Sequence, residues 1–256
     1  MMNNSLVAYS GGVDSTLLAK LAMDILGEKV EAVIVTSPTL PARELLEARQ
    51  IAAHIGVNLI EMASDEIDLP EYSKNSDQRC YVCKDYRYRK LRKYAEENGF
   101  QTILDGSNVD DLGDFRPGHR AVKEQGVRSP LQEAGLTKIE IRNLAKDMDL
   151  PNWDKPSSAC LASRIPYGTI ITSEALELIE KAEDFLIKLG FRQLRVRHHG
   201  NIARIEIPQE EFDKLLSSRE LISEQLKELG YSYITLDIQG FRSGSLNEGL
   251  MNNGSK

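Results

Sequence analysis

The sequence predicts an α/β fold, a doubly wound parallel sheet with a smaller C-terminal α+β domain. Three observations predict it. Short apolar runs at 6–9, 30–35 and 57–62 alternate with helix-patterned stretches through the opening third, the signature of βαβ units. Paired glycines fall where the first strand hands over to the first helix. Beyond about Thr172 the texture changes to helix, two strands, helices and a last strand.

The first turn is Ser10-Gly11-Gly12-Val13-Asp14-Ser15, followed by apolar residues at helical spacing from Thr16 to Ala22. Adjacent glycines let backbone approach an anion, and the first amides of a helix have no intrahelical partners, so a phosphate is expected here. Ser10 and Ser15 add hydroxyls, and Asp14 is placed to hold Mg2+ against the same phosphates. The stretch contains no lysine, unlike the GxxxxGK[ST] loop. The SGGxDS pattern resembles the pyrophosphate loop of ATP pyrophosphatases, which implies ATP as co-substrate and a sheet of the adenine nucleotide alpha-hydrolase-like type.

In chain order, 30–35 reads as the second strand, 42–55 as an amphipathic helix and 57–62 as the third strand. Residues 64–79 are polar and lack period, which predicts a loop over the carboxyl ends of the strands. Cys80-Tyr81-Val82-Cys83 precedes a basic helix from about Lys84 to Asn98. The strand at 102–104 runs into Asp105-Gly106-Ser107-Asn108, and Asp110, Asp111 and Asp114 follow closely. These carboxylates are candidates for Mg2+ or substrate, with Asp111 assigned to substrate and Gly106 to the nucleotide; a solvated acidic loop is the alternative. Thr137 and Glu140 form a capping box for a helix through Met148, which Pro151 stops. An extended small-residue segment surrounds Cys160. Helices at 174–189, 209–216 and 219–229 and strands at 191–197, 202–207 and 231–238 complete the chain, with a turn at 198–201. Expected boundaries are 1–168 for the nucleotide domain, 169–243 for the second, and a flexible tail at 244–256.

With 256 residues, 41% hydrophobic and 28% charged, the chain has the composition of a globular protein. No apolar run approaches the roughly 20 residues of a membrane span and no signal peptide is evident, so a cytoplasmic location without membrane association is expected. A net charge of -7 argues against a broad nucleic-acid surface. Three cysteines cannot all pair in disulfides, which favours a reducing compartment.

The CxxC pair suits one metal centre or a redox disulfide. With Cys160 brought to the same rim, three thiolates would suit an iron-sulfur cluster with one iron lacking a protein ligand. Zinc with His119, His198 or His199 as fourth ligand, and plain thiols, are the alternatives. Arg195 and Arg197 alternate by two and leave the same face of a strand, with Arg192, Arg204, His198 and His199 nearby. Residues 191–205 contain no acid. The patch reads either as a phosphate grip or as a charged edge strand.

SGGVDS at 10–15, DGSNVDD at 105–111, RPG at 116–118, KPSSACLASRIPYG at 155–168 and RVRHH at 195–199 together resemble the LarE family. These are ATP-dependent sulfurtransferases acting on pyridinium-3,5-biscarboxylic acid mononucleotide in the making of the nickel-pincer nucleotide of lactate racemase. The resemblance implies adenylation of a pyridinium carboxylate, then displacement of AMP by sulfur. Some members sacrifice the sulfur of a cysteine matching Cys160; others add a CxxC pair, so that Cys80, Cys83 and Cys160 hold a [4Fe-4S] cluster carrying sulfide from an external source. It further implies that Arg195 and Arg197 hold the substrate phosphate, that Ser163, Arg164 and Glu183 lie near the substrate, and that the protein is a homo-oligomer. A tRNA thiolation enzyme, a zinc-bearing amide ligase and an ATP sensor are the other functions the sequence admits.

Overall fold

The structure is a computed structural model and describes residues 4–113, 118–156, 159–242 and 244–247. Its packing divides the chain into two units, Met1–Tyr72 with Asp77–Ser158, and Ser73–Ser76 with Ala159–Lys256. The division thus falls ten residues before the sequence-expected boundary, and a short early segment joins the second unit.

In the first unit, β1 (Ser5–Tyr9), α1 (Val13–Leu26), β2 (Val30–Thr36), α2 (Ala42–Ile55) and β3 (Asn58–Ala63) follow one another as the apolar periodicity predicts. Next come a short α3 (Pro70–Ser73), α4 (Arg79–Glu97), β4 (Thr102–Leu104), α5 (Gly118–Glu124), α6 (Pro130–Glu133) and α7 (Lys138–Asp147). The strands form one parallel sheet in the order β3-β2-β1-β4. Helices cover both faces, which is why β1 reads as a continuous apolar run: Leu6 and Val7 are fully buried from opposite sides. Val7 faces a cluster with Leu17, Leu18, Ala48 and Ile141; Leu6 faces Tyr88, Leu91, Ala95 and Val122. Each such aliphatic side chain contributes about 1.5–3 kcal/mol by leaving water.

Two expectations need correction. The 64–79 stretch is not a continuous loop, since it contains short helical turns at Glu66–Asp68 and Pro70–Ser73. The CxxC does not precede the basic helix but lies within it, because α4 begins at Arg79. No proline or glycine interrupts 79–97, and the burial of Tyr88, Leu91 and Ala95 on one face carries the helix back through the cysteines.

In the second unit, α8 (Ser173–Lys188) leads to β5 (Arg195–His199), β6 (Ile202–Glu206), α9 (Phe212–Ser217), α10 (Arg219–Glu228) and β7 (Tyr233–Leu236). The expected hairpin forms as an antiparallel β5–β6 pair, with β7 parallel to β6. Its core gathers Leu186, Phe191, Val196, Ile205, Ile222 and Leu226. Asn75, buried at φ 56°, is sewn into this unit: its side-chain amide donates to the carbonyls of Ile165, Pro166 and Thr169, and its own carbonyl accepts from the Gly168 amide. Those bonds explain why 73–76 and 159–171 belong together. Ser245, inside the segment expected to be a flexible tail, is buried; 248–256 lie outside the described residues. Among the described residues no helix is long and apolar enough to cross a membrane.

Candidate functional site

The turn after β1 sits where the chain leaves the sheet in opposite directions from two neighbouring strands, β1 and β4, the usual ligand crevice of such sheets. Gly11 adopts φ 72°, and a Cβ there would meet Ala48 Cβ at 2.7 Å. Only glycine fits. Gly106, at the end of β4, lies so close to α1 that a Cβ would fall 2.9 Å from the Ser15 nitrogen. The second glycine-bearing loop therefore closes directly on the first.

Ser10 and Ser15 face each other with their hydroxyls 3.0 Å apart, and Ser15 Oγ donates to the Gly12 carbonyl. Asn152 pins the turn from outside by donating to the Gly11 carbonyl and to Thr16 Oγ1, both at 3.0 Å. Asp14 Oδ2 accepts from Lys138 Nζ at 2.5 Å. Its other oxygen, Oδ1, is buried and has no hydrogen-bond partner among the described residues. An orphaned carboxylate oxygen at a phosphate turn fits a divalent cation, so the residues present are suited to Mg2+.

The lysine that the SGGVDS stretch lacks thus arrives from the first position of α7. Sequence reasoning found the capping box that starts this helix, and the structure contains it. It did not find Lys138, because no local pattern marks a contact spanning 124 positions.

The carboxylates of the acidic loop are occupied by amides and hydroxyls around them. Asp110 accepts from the Lys138 amide, Asp111 from the Asn108 amide, and Asp105 from Ser107, Ser129 and Tyr88. Asp114 lies outside the described residues, as do Arg116, Pro117, Ser157 and Ser158.

Cys80 and Cys83 lie one turn apart on α4, so both thiols leave the same side. Cys80 is exposed and Cys83 half-buried; Cys160, in the second unit, is exposed. None is in a disulfide. Three accessible thiols fit an iron-sulfur cluster in donor chemistry. Among the described residues, however, no group of three or more His, Cys, Asp or Glu is placed to hold a metal ion.

In the second unit the arginines separate into two kinds. Arg164 forms a two-pronged pair with Glu183, at 2.8 and 3.0 Å, with both side chains almost fully buried. The same Arg164 donates to the carbonyls of Ala159 and Cys160, and Glu183 accepts the Val196 amide, so the pair fastens the Cys160 segment to β5. Arg197 forks onto buried Glu206 at 3.0 and 2.8 Å, and donates to the Ser163 carbonyl and to Ser245 Oγ. As direct substrate contacts, Arg164, Glu183 and Arg197 are therefore poorly placed: each already holds a buried partner.

Arg195 differs. It lies on the same face of β5 as Arg197, as strand alternation predicts, yet among the described residues no carboxylate pairs with it. It donates to the Leu194 carbonyl and its guanidinium lies 5.0 Å from the Phe241 ring centroid. Burial, with the Arg164 and Arg197 charges, outweighs the nearby Glu183 and Glu206 carboxylates and lowers its pKa to about 10. A half-buried guanidinium with no carboxylate hydrogen-bonded to it among the described residues has donors to offer an anion.

Fold and phosphate turn together define an enzyme of the pyrophosphate-loop class. The NAD synthase family signature matches residues 2–104. The chain is 40% identical over 245 residues to pyridinium-3,5-bisthiocarboxylic acid mononucleotide synthase of Lactiplantibacillus plantarum, covering 95% of this chain and 89% of that one. It is 42% identical over 251 residues to an uncharacterized protein of Synechocystis sp., covering 97% and 94%. One subunit of the glutamine-hydrolyzing GMP synthase of Saccharolobus solfataricus is 28% identical over 211 residues, covering 72% of this chain and 54% of that one. This chain belongs to the LarE family, that of the pyridinium-3,5-bisthiocarboxylic acid mononucleotide synthase.

Proposed function

We propose that this protein is an ATP-dependent sulfurtransferase that converts the carboxylates of pyridinium-3,5-biscarboxylic acid mononucleotide into thiocarboxylates for a nickel-pincer nucleotide. The observation that carries this reading is the phosphate turn closed by Gly106 and Lys138, in a chain related at 40% identity to a synthase of the bisthiocarboxylic product.

In this reading the amides of the Gly11–Ser15 turn and the Ser10 and Ser15 hydroxyls receive the ATP phosphates, and Asp14 Oδ1 receives Mg2+. Lys138, held ready on Asp14 Oδ2, transfers its hydrogen bond to the phosphate oxygens as charge builds there. A substrate carboxylate oxygen forms a bond to the α-phosphorus, the bond to the bridging oxygen breaks, and pyrophosphate leaves. A sulfur nucleophile then adds to the acyl carbon, and AMP departs with the electrons of the broken C–O bond. Arg195 holds the substrate phosphate, while Arg197, Arg164 and Glu183 keep β5 and the Cys160 segment in place. Cys80, Cys83 and Cys160 would hold a [4Fe-4S] cluster, which when bound supplies the sulfide. The enzyme acts in the cytoplasm as a homo-oligomer, and light scattering on the purified protein tests that assembly.

Anaerobically purified protein given ATP, Mg2+, sulfide and the pyridinium mononucleotide is expected to release pyrophosphate and exchange substrate oxygen for sulfur over many turnovers. A single turnover with loss of the Cys160 sulfur establishes the sacrificial route instead. Pyrophosphate release that depends on ammonia or tRNA, and not on the pyridinium acid, overturns the proposal.

A further inference from the structure

The phosphate turn leaves unexplained two buried carboxylates in the first unit, Glu66 and Asp105, at 0% and 4% exposure. Both are bound by consecutive residues of α4. Arg87 Nη2 donates to Glu66 Oε1, to Ser37 Oγ at 2.9 Å and to Thr39 Oγ1 at 3.0 Å, and Ser37 Oγ donates to Glu66 at 2.8 Å. Tyr88 Oη donates to Asp105 Oδ2 at 3.2 Å.

Ser37 and Thr39 follow β2, Glu66 follows β3, and Asp105 follows β4. One turn beyond Cys83, then, α4 is tied by directional bonds to the carboxyl ends of three strands. On a helix, residues 80, 83, 87 and 91 share one stripe, so whatever fixes Arg87 also fixes the direction in which the thiols point. The apolar contacts of Leu91 and Ala95 hold α4 on the sheet and choose the face it buries, but they set its rotation only coarsely, because burial is non-directional. Hydrogen-bonded networks with buried charges do specify it. Asp105 also adjoins Gly106, which abuts Ser15, so the α4 anchor and the phosphate turn share one peptide link.

We infer that Glu66 and Asp105 are positioning residues for the Cys80–Cys83 pair, acting through Arg87 and Tyr88. The inference deepens the proposed function and rests on the reading of those thiols as sulfur-handling groups.

The test reads the thiols without any metal: peptide-resolved rates of iodoacetamide alkylation in the full chain, expressed as the ratio of Cys83 to Cys80. Tyr88→Phe keeps the buried ring and removes one donor; Glu66→Gln keeps the volume and removes the charge. Each is expected to raise the ratio about fivefold, the population change that follows loss of one hydrogen bond of ordinary net strength. Alkylation of Cys160 stays unchanged. Leu91→Val, which loosens the same face without touching the network, lowers the melting temperature but leaves the ratio alone. An unchanged ratio in Tyr88→Phe, or an equal rise in Leu91→Val, overturns the inference. Protection of the three thiols by cobalt(II) in the wild type is scored separately, so failure of the metal reading is not confused with failure of the positioning.

Discussion

Lys138 Nζ stands 2.5 Å from Asp14 Oδ2, joining the first position of α7 to the first turn of α1. Both side chains are about a quarter exposed, so the pair itself contributes at most about 1 kcal/mol to stability. Its value lies in placing a cation at the phosphate turn. Lys138→Met is expected to leave the melting temperature within a few degrees and to slow pyrophosphate release by about two orders of magnitude. An unchanged rate assigns the pair a purely structural role.

Gly106 and Gly56 make a matched comparison. Alanine at 106 would press on the Ser15 backbone, which cannot move without shifting the phosphate turn; alanine at 56 meets open space and bears only the strain of φ 78°. Gly106→Ala should weaken ATP binding at least about tenfold, measured by calorimetry. Gly56→Ala should cost about 1–2 kcal/mol of stability and leave ATP affinity as it was.

Arg195 and Arg197 separate binding from folding. Arg195→Ala removes a half-buried cation with no hydrogen-bonded carboxylate among the described residues, so stability is held while KM for the pyridinium mononucleotide rises by about 10–100-fold, the worth of a charged hydrogen bond. Arg197→Ala removes the forked partner of fully buried Glu206, which keeps Arg204 and Ser245, and is expected to cost about 1.5–3 kcal/mol in urea unfolding. If KM responds to Arg197→Ala at temperatures where the variant is folded and not to Arg195→Ala, the assignment is reversed.

Much of the fold was legible because its periodicities are strong. The 42–55 helix and the parallel strands follow from apolar spacing alone, and the capping box at Thr137 marks α7 to the residue. The phosphate turn was legible because glycine has few substitutes at φ 72°. Long-range pairing was not: nothing near Arg164 announces Glu183, and nothing near Arg197 announces Glu206. Two arginines alternating on a strand look alike in sequence, and strand register does not separate them either: Glu206 stands opposite Arg195 yet is gripped by Arg197. The α4 start was misplaced for a related reason, since Cys, Tyr and Val are middling helix formers whose conformation is decided by packing.

Glu66 gives the protein an acid-sensitive element. Burial pushes its carboxyl up, but the Arg87 guanidinium with the Ser64 and Ser37 hydroxyls outweighs this and holds it below its ordinary value of 4.5. The unfolded chain therefore takes up the proton first, and the stabilisation, complete above about pH 4.5, is lost as pH falls through the folded-state value. Urea midpoints compared at pH 7 and pH 4 should fall further in the wild type than in Glu66→Gln. Parallel loss in both proteins places the acid sensitivity elsewhere.

The most direct measurement is a multiple-turnover assay on anaerobically purified protein with ATP, Mg2+, sulfide and the pyridinium mononucleotide, following pyrophosphate and the mass of the organic product together. Sulfur-for-oxygen exchange in step with pyrophosphate, with Cys160 intact by mass at the end, is the result expected here. Pyrophosphate without thiocarboxylate, or neither product, contradicts it.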